Sequence, residues 1–272
     1  MKWPDQAAKG QLVAKHASKI RKAFKKSING DAIAQSWVET HPAGGSISPQ
    51  MARDWTRAHA VTNKKPMQNA LASIYANAYV LGERIANAYL LGLKKDAKST
   101  PMPVATVIDW STWKPGNPSA AALVKPRGGL QALLDTRKIN IADEVINTRL
   151  DRIGTALATS LEKGFNMEQT AQMINAVIDD PEAAMMIART ETARAVSIAT
   201  RDSYERTGVE QVEWLAGDGC DICEENADAS PIGIGDTFPS GDSEPPAHPN
   251  CECAIAPYFE DLPEENFVDE EL

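Results

Sequence analysis

PEAAMMIARTETARAVSIATRDSYERTGVEQVEWLAGDGCDIC, residues 181–223, contains the point where one kind of structure gives way to another. Asp179-Asp180 ahead of Pro181 reads as a helix start. A carboxylate can accept from the first free amides, and proline suits the first helical position, whose N–H has no partner in any case. Ile187, Ala188, Ala195, Ile198 and Ala199 recur at helical steps, so this helix is expected to run to about Thr207 and stop at Gly208. From Val209 to Leu215 the period shortens to two, the alternation of a strand. Beyond it Gly, Asp and Pro dominate. The expected fold is mainly α: a helical N-terminal and central part, then a small α+β C-terminal module that carries Cys and His.

Upstream, the helical period prevails. Residues 5–28 read as a basic helix with Leu12, Val13, Ile20, Phe24 and Ile28 on its apolar stripe, and the Gly/Ser/Pro stretch from His41 to Pro49 separates it from a shorter helix near 49–61. A long helix is expected from Pro66 to Lys95, with Leu71, Ile74, Tyr75, Ala78, Leu81, Gly82, Ile85, Ala88, Tyr89 and Gly92 along one face. The small residues among them would let another helix approach closely, although ordinary core packing is the simpler account. Lys98 to Pro126, with Trp110 and Trp113, is Pro-rich and reads as a linker or crossover. Val145, Ile146, Leu150, Ile153, Leu157 and Leu161 form the stripe of a further helix, with Gly164 at its C-terminal cap. Asn166 three residues ahead of Gln169 has the form of a capping box. The expected organisation is a helical region over 1–97, a linker over 98–129, a second folded region over 130–260 whose last part, 208–260, is the Cys/His module, and an acidic tail over 261–272.

Composition narrows the function classes. The hydrophobic fraction of 43% and charged fraction of 24% suit a globular protein with a real core. No segment reaches the roughly 18 apolar residues of a membrane span, and the opening Met1-Lys2-Trp3-Pro4 lacks the apolar stretch of a signal peptide. Synthesis in a reducing cytoplasm is expected, where clustered Cys seldom form structural disulfides. The net charge of −9 hides an asymmetry. Residues 1–26 carry a formal +7, whereas no Lys or Arg follows Arg206 and eighteen acids do, so the last sixty-six residues sum to −18 and the first 206 to +9. Such a C-terminal part repels a phosphate backbone. The basic N-terminus could make a weak contact with DNA or an acidic partner, or be a solvated helix face.

All four Cys fall in the C-terminal module, in Cys220-Asp221-Ile222-Cys223 and His248-Pro249-Asn250-Cys251-Glu252-Cys253. Two Cys separated by two residues turn both sulfurs inward, and a second pair from a distant segment closes the tetrahedron of structural zinc. The expected Zn²⁺ ligands are Cys220, Cys223, His248 and Cys251, with Cys253 as the substitute for His248. A module so acidic and so poor in large apolar residues would draw folding energy from the metal. A disulfide framework, a Cys-x-x-Cys redox site and a catalytic zinc compete with this reading. The redox site lacks a visible βαβ setting, and a catalytic zinc would need an open position and a nearby base.

These stretches carry a family resemblance. Ala188-Arg189-Thr190-Glu191-Thr192-Ala193-Arg194-Ala195, then Gly208-Val209 leading to Val212-Glu213-Trp214, then Asp218 ahead of Cys220-x-x-Cys223, and last Pro245-Pro246-Ala247-His248-Pro249-Asn250-Cys251-Glu252-Cys253 resemble the phage head morphogenesis family of Mu F-like minor head proteins. Glu252 departs from the family pattern, which has a basic residue there. The resemblance implies a low-copy structural protein, not an enzyme, inside the virion head near the portal vertex. It implies assembly in the host cytoplasm with the portal protein and capsid or scaffolding proteins, and a part in DNA packaging or delivery. The alternatives are a zinc-dependent nuclease or hydrolase and a thiol redox protein. Within the matching helix Glu191 falls on the apolar face and needs a partner, for which Arg194 is the local candidate. Arg189 and Glu191 point about 200° apart and cannot share a ligand. Arg189, Glu191, Arg194 and Trp214 are therefore expected either to anchor the acidic module or to meet another head protein.

Overall fold

The computed structural model describes residues 6–41, 45–96, 128–217 and 220–260. Nearly all of the expected linker, with Trp110 and Trp113, and the whole acidic tail lie outside them. The helices are α1 (Gln6–Ser27), α2 (Gly30–Thr40), α3 (Pro49–His59), α4 (Lys65–Asp96) and α5 (Gly128–Ala132). α5 passes through a π-helical turn (Leu133–Arg137) into α6 (Lys138–Glu162), followed by α7 (Met167–Ile178) and α8 (Pro181–Arg206). Strand β1 (Gln211–Leu215), helix α9 (Asp221–Asp228), and strands β2 (Ile232–Gly233) and β3 (Ala254–Tyr258) complete the order. The chain divides into two compact units, one formed by residues 14–73 and 132–188, the other by 1–13, 74–131 and 189–272.

The first unit is helical, and side-chain caps set its boundaries. Asn29 accepts the Ala32 N–H at 3.1 Å, and Ser48, ahead of Pro49, accepts that of Met51 at 3.2 Å. Asn166 and Gln169 form both bonds of the expected capping box. Gly164 ends α6 at φ +65°, the left-handed conformation a glycine adopts without strain. α2 is an addition to the sequence reading, whose first helix ended at residue 28, just before Asn29, with the next helix placed near 49. That asparagine caps α2, because its short side chain serves turns and N-caps alike. Ile20, Phe24, Ile33, Trp37, Ile146, Ile153 and Ile174 are buried here. Arg149, at 3% exposure, lies over the Phe24 ring at 4.5 Å and donates to Val177 O at 2.9 Å and Asp180 at 3.0 Å, which offsets the cost of burying its charge.

In the second unit, α4 from Ile74 onward packs along α8 from Arg189. They come close together at Gly82, where a Cβ would lie 2.3 Å from Val196 O and 2.8 Å from Ala199 Cβ. Thr200 Oγ1 donates there, to Val196 O at 2.9 Å with Gly82 O at 3.4 Å. Polar rungs cross the same seam: Tyr75 to Glu191 at 2.7 Å, Tyr79 to Asp202, and Arg206 to the buried Glu83 at 3.0 Å. The expected face of α4 holds from Leu71 to Ile85. Further along, Ala88 is exposed and Ala86 and Leu90 are buried instead. The three strands form one antiparallel sheet in the order β2-β1-β3, with Gln211 opposite Tyr258 and Leu215 opposite Ala254.

Replacing Gly82 with Ala should cost about 2 kcal/mol, because the added methyl meets a helix backbone rather than a movable side chain. Gly10→Ala, where nothing lies within 4 Å, should instead stabilise by up to about 1 kcal/mol through helix propensity. Urea midpoints of the two variants check this opposition of sign.

Candidate metal centre

Antiparallel pairing places the end of β1 beside the start of β3. The chain leaving β1 leads to Cys220 and Cys223, and the chain entering β3 carries Cys251 and Cys253, so the sheet brings the two Cys pairs to one place. Cys220 caps α9, its Sγ accepting the Cys223 N–H at 3.3 Å. On the other side, Cys251 N–H donates to His248 O at 3.2 Å and closes a turn in which Asn250 takes φ +60°. Gly217 N–H points at Cys253 Sγ, 3.3 Å away.

His248 Nε2 lies 3.2 Å from Cys220 Sγ and 3.3 Å from Cys223 Sγ, and Cys223 Sγ lies 3.8 Å from Cys251 Sγ. Donors sharing one tetrahedral zinc are roughly 3.6–3.8 Å apart, so these separations are within a few tenths of an ångström of what one ion requires. His248 Nδ1 faces Pro249 O at 2.9 Å. With Nδ1–H donating there, the Nε2 lone pair is left for a metal. The donors form two triads, Cys220/Cys223/His248 and Cys223/Cys251/Cys253, each with its ligand atoms within 4.8 Å of one another, and Cys223 belongs to both. Cys223 joins the two triads into a five-donor cluster that could hold a metal ion.

Cys223, Cys251 and Cys253 are buried and Cys220 half-buried, none in a disulfide. Burial, with the Cys220 hydrogen bond, pushes the Cys223 thiol up to about 12. The hydrogen bond to Cys253, with burial, raises Cys251, and the same bond holds Cys253 below the ordinary thiol value. A metal entering this cluster has to displace thiol protons into solvent.

α8 grips the loop that carries the second Cys pair. Thr190 Oγ1 accepts the Asn250 N–H at 3.1 Å, and Arg194, one turn on, donates to Pro246 O at 3.1 Å. Arg201 donates to Ile234 O at 2.7 Å and pairs with Glu244 at 2.9 Å. Glu191 is buried against Tyr75 of α4, whereas Arg189 stands exposed. Trp214 is buried in β1, edge-on to Phe238 with ring centroids 5.0 Å apart. Sequence reasoning assigned no role to Thr190, although it stands inside the quoted motif four residues before Arg194, the spacing of one helix face. The Gly217 amide carried no signal, since only the strand register places it at Cys253.

Residues 151–256 match the family described as phage Mu protein F like protein. Over this segment the chain is similar to the phage Mu F-like family. No curated protein and no solved structure matches the chain. The Mu F-like segment begins inside α6 and ends inside β3, so it takes in α8, the sheet and every donor of the cluster.

Tyr75→Phe removes a donor from a buried carboxylate and should cost about 2 kcal/mol, the usual scale for a hydrogen bond to a charged group. An unchanged denaturation midpoint would show that Glu191 is held by its other neighbours alone.

Proposed function

We propose that this chain is a structural minor head protein of a tailed phage, incorporated into the procapsid at or near the portal vertex and retained in the virion. The observation that carries the reading is the match of residues 151–256 to the phage Mu F-like family, which supports a role in head morphogenesis. The portal protein and capsid or scaffolding proteins are the proposed partners, and the exposed Arg189 on α8 is a candidate contact. Among the described residues no helix is long and apolar enough to cross a membrane. The basic face of α1 supports a weak DNA contact, since Lys15, Lys22 and Lys26 are exposed on one side of that helix. A nuclease reading has to overcome the −18 of the chain after Arg206, which repels the substrate of such an enzyme. Mass spectrometry of purified virions and procapsids should find the chain in both, at low copy. Its absence from both would overturn the reading.

Within that protein the Cys/His cluster is proposed to hold one structural Zn²⁺, through Cys220, Cys223, His248 and Cys251. When bound, the ion supplies cross-linking of the two Cys pairs. The residues themselves exclude water and fix the donors. The full chain, purified under reducing conditions, should contain one zinc by elemental analysis. Cys220→Ser, Cys223→Ser and Cys251→Ser should lose it, Cys253→Ser should keep it, and His248→Ala should lose it. The reverse result for the last two variants would make the site four-cysteine, with His248 outside it. Well under one equivalent in the parent chain, with an intact fold in chelator, would remove the zinc reading.

A further inference from the structure

We infer that Thr190 and Arg194 of α8 are positioning residues for His248: they hold the segment that carries it and so set its imidazole against the first Cys pair. The inference rests on the zinc reading above.

The five donors are not anchored alike. Cys220 and Cys223 are fixed by α9, the one as its cap and the other inside its first turn. Cys251 and Cys253 are buried and run directly into β3, whose register with β1 holds them. His248 has neither support. It stands six residues before Ala254, half-buried, at the far side of the turn that Cys251 N–H closes on His248 O. Yet its Nε2 reaches across to two sulfurs of the other segment, at 3.2 Å and 3.3 Å. Something outside the turn has to fix where that ring sits.

One face of α8 does so. Residues 190, 194 and 201 point within about 40° of one another round the helix, and each meets the segment 244–250. Arg201 pairs with Glu244 at 2.9 Å, Arg194 donates to Pro246 O at 3.1 Å, and Thr190 Oγ1 accepts the Asn250 N–H at 3.1 Å. The order is reversed along the two chains, so the segment runs antiparallel to the helix and cannot slide without losing all three contacts. His248 lies midway between the Arg194 and Thr190 contacts, two residues from each. Asn250, at φ +60°, turns the chain back toward Cys251, and its amide is the one that Thr190 holds. Loosening either point frees the turn and withdraws the imidazole, while the cysteines stay in place on α9 and β3. Outer-shell groups that orient a ligand are typically worth ten- to a hundredfold in metal affinity. Between Thr190 and Arg194, Glu191 faces Tyr75 of α4 instead. This short stretch therefore has one side for a helix and one for the histidine turn.

The test is zinc affinity of the full chain by chelator competition, with the cobalt-substituted protein as a second readout. Its ligand-field bands respond to the nitrogen donor, and its thiolate charge-transfer intensity counts sulfurs. Thr190→Val keeps the shape of the side chain and removes the acceptor. It should weaken zinc about tenfold and move the ligand-field bands, with charge-transfer intensity at the parent value. Arg194→Gln should move the same bands. Thr190→Ser, which keeps the hydroxyl, should match the parent in affinity and spectrum. Parent-like affinity and bands in Thr190→Val or Arg194→Gln overturn the inference and leave the zinc reading intact. Weakened binding with unmoved ligand-field bands also overturns it, since the loss would then come from stability rather than from the imidazole. So does a Thr190→Ser variant as weak as Thr190→Val. A parent chain that takes up no zinc removes both readings.

Discussion

Gln211 to Leu215 pair residue by residue with Ala254 to Tyr258, and the location of the centre depends on where that ladder ends. Reversing the ladder's sense would put Cys220 and Cys251 at opposite ends of the sheet. A one-residue slip of β1 would turn Val212 and Trp214 away from the core and move the Gly217 amide off Cys253. Register is fixed by burial: Val212 and Trp214 face inward from β1, and Ala254, Ile255 and Ala256 are buried in β3. The same apolar pattern that folds the sheet therefore sets the distances between sulfurs. α8 adds the remaining constraint by holding Pro246 and Asn250 at either side of His248.

The thiols have two roles in this arrangement. Cys223, Cys251 and Cys253 pack in one cluster with Trp214, Phe238 and Ile255, and that cluster extends to Ala86 and Leu90 of α4 and Tyr204 of α8. Cysteine behaves as a small hydrophobe when protonated, so the sulfurs contribute to core packing as well as to ligation. This changes the energetic expectation drawn from composition. The acidic module is poor in apolar side chains of its own, but it borrows a core from two long helices. A metal would lock a surface already in contact rather than create one, which is why experiments on the full chain are more informative than a dissected fragment.

Most of the elements were legible in the sequence because their signals are local. Asn166 with Gln169, Asp180 with Pro181, and the glycines at 164 and 208 each satisfy a helix end, and each requirement lies within a few residues. The period change at Val209 and the Cys/His spacing are local in the same sense. α2 was hidden because its cap doubles as a turn, and the π turn at Leu133–Arg137 because it inserts one residue into a helix without changing composition. What could not be read were pairings set by register or by packing between distant segments: Tyr75 with Glu191, Thr190 with Asn250, Gly217 with Cys253. Gly82 was legible as a small residue in a stripe. Only the neighbouring backbone of Val196 shows why a side chain there would not fit.

Charge follows the same division between local and distant pairing. In the helical unit several basic residues find acids within the unit, as Arg57 does with Asp151, Lys64 with Asp143 and Arg149 with Asp180. Arg21 and Lys25 share Asp179, whose carboxyl they hold down at about 2. Exposed pairs of this kind contribute little stability. In the other unit the stretch after Arg206 has no Lys or Arg of its own, so the cation that Arg201 brings to Glu244 comes from upstream. Lys15, Lys22 and Lys26 are exposed together on the outer side of α1. Phosphates spaced along a nucleic-acid backbone complement a row of lysines of that kind.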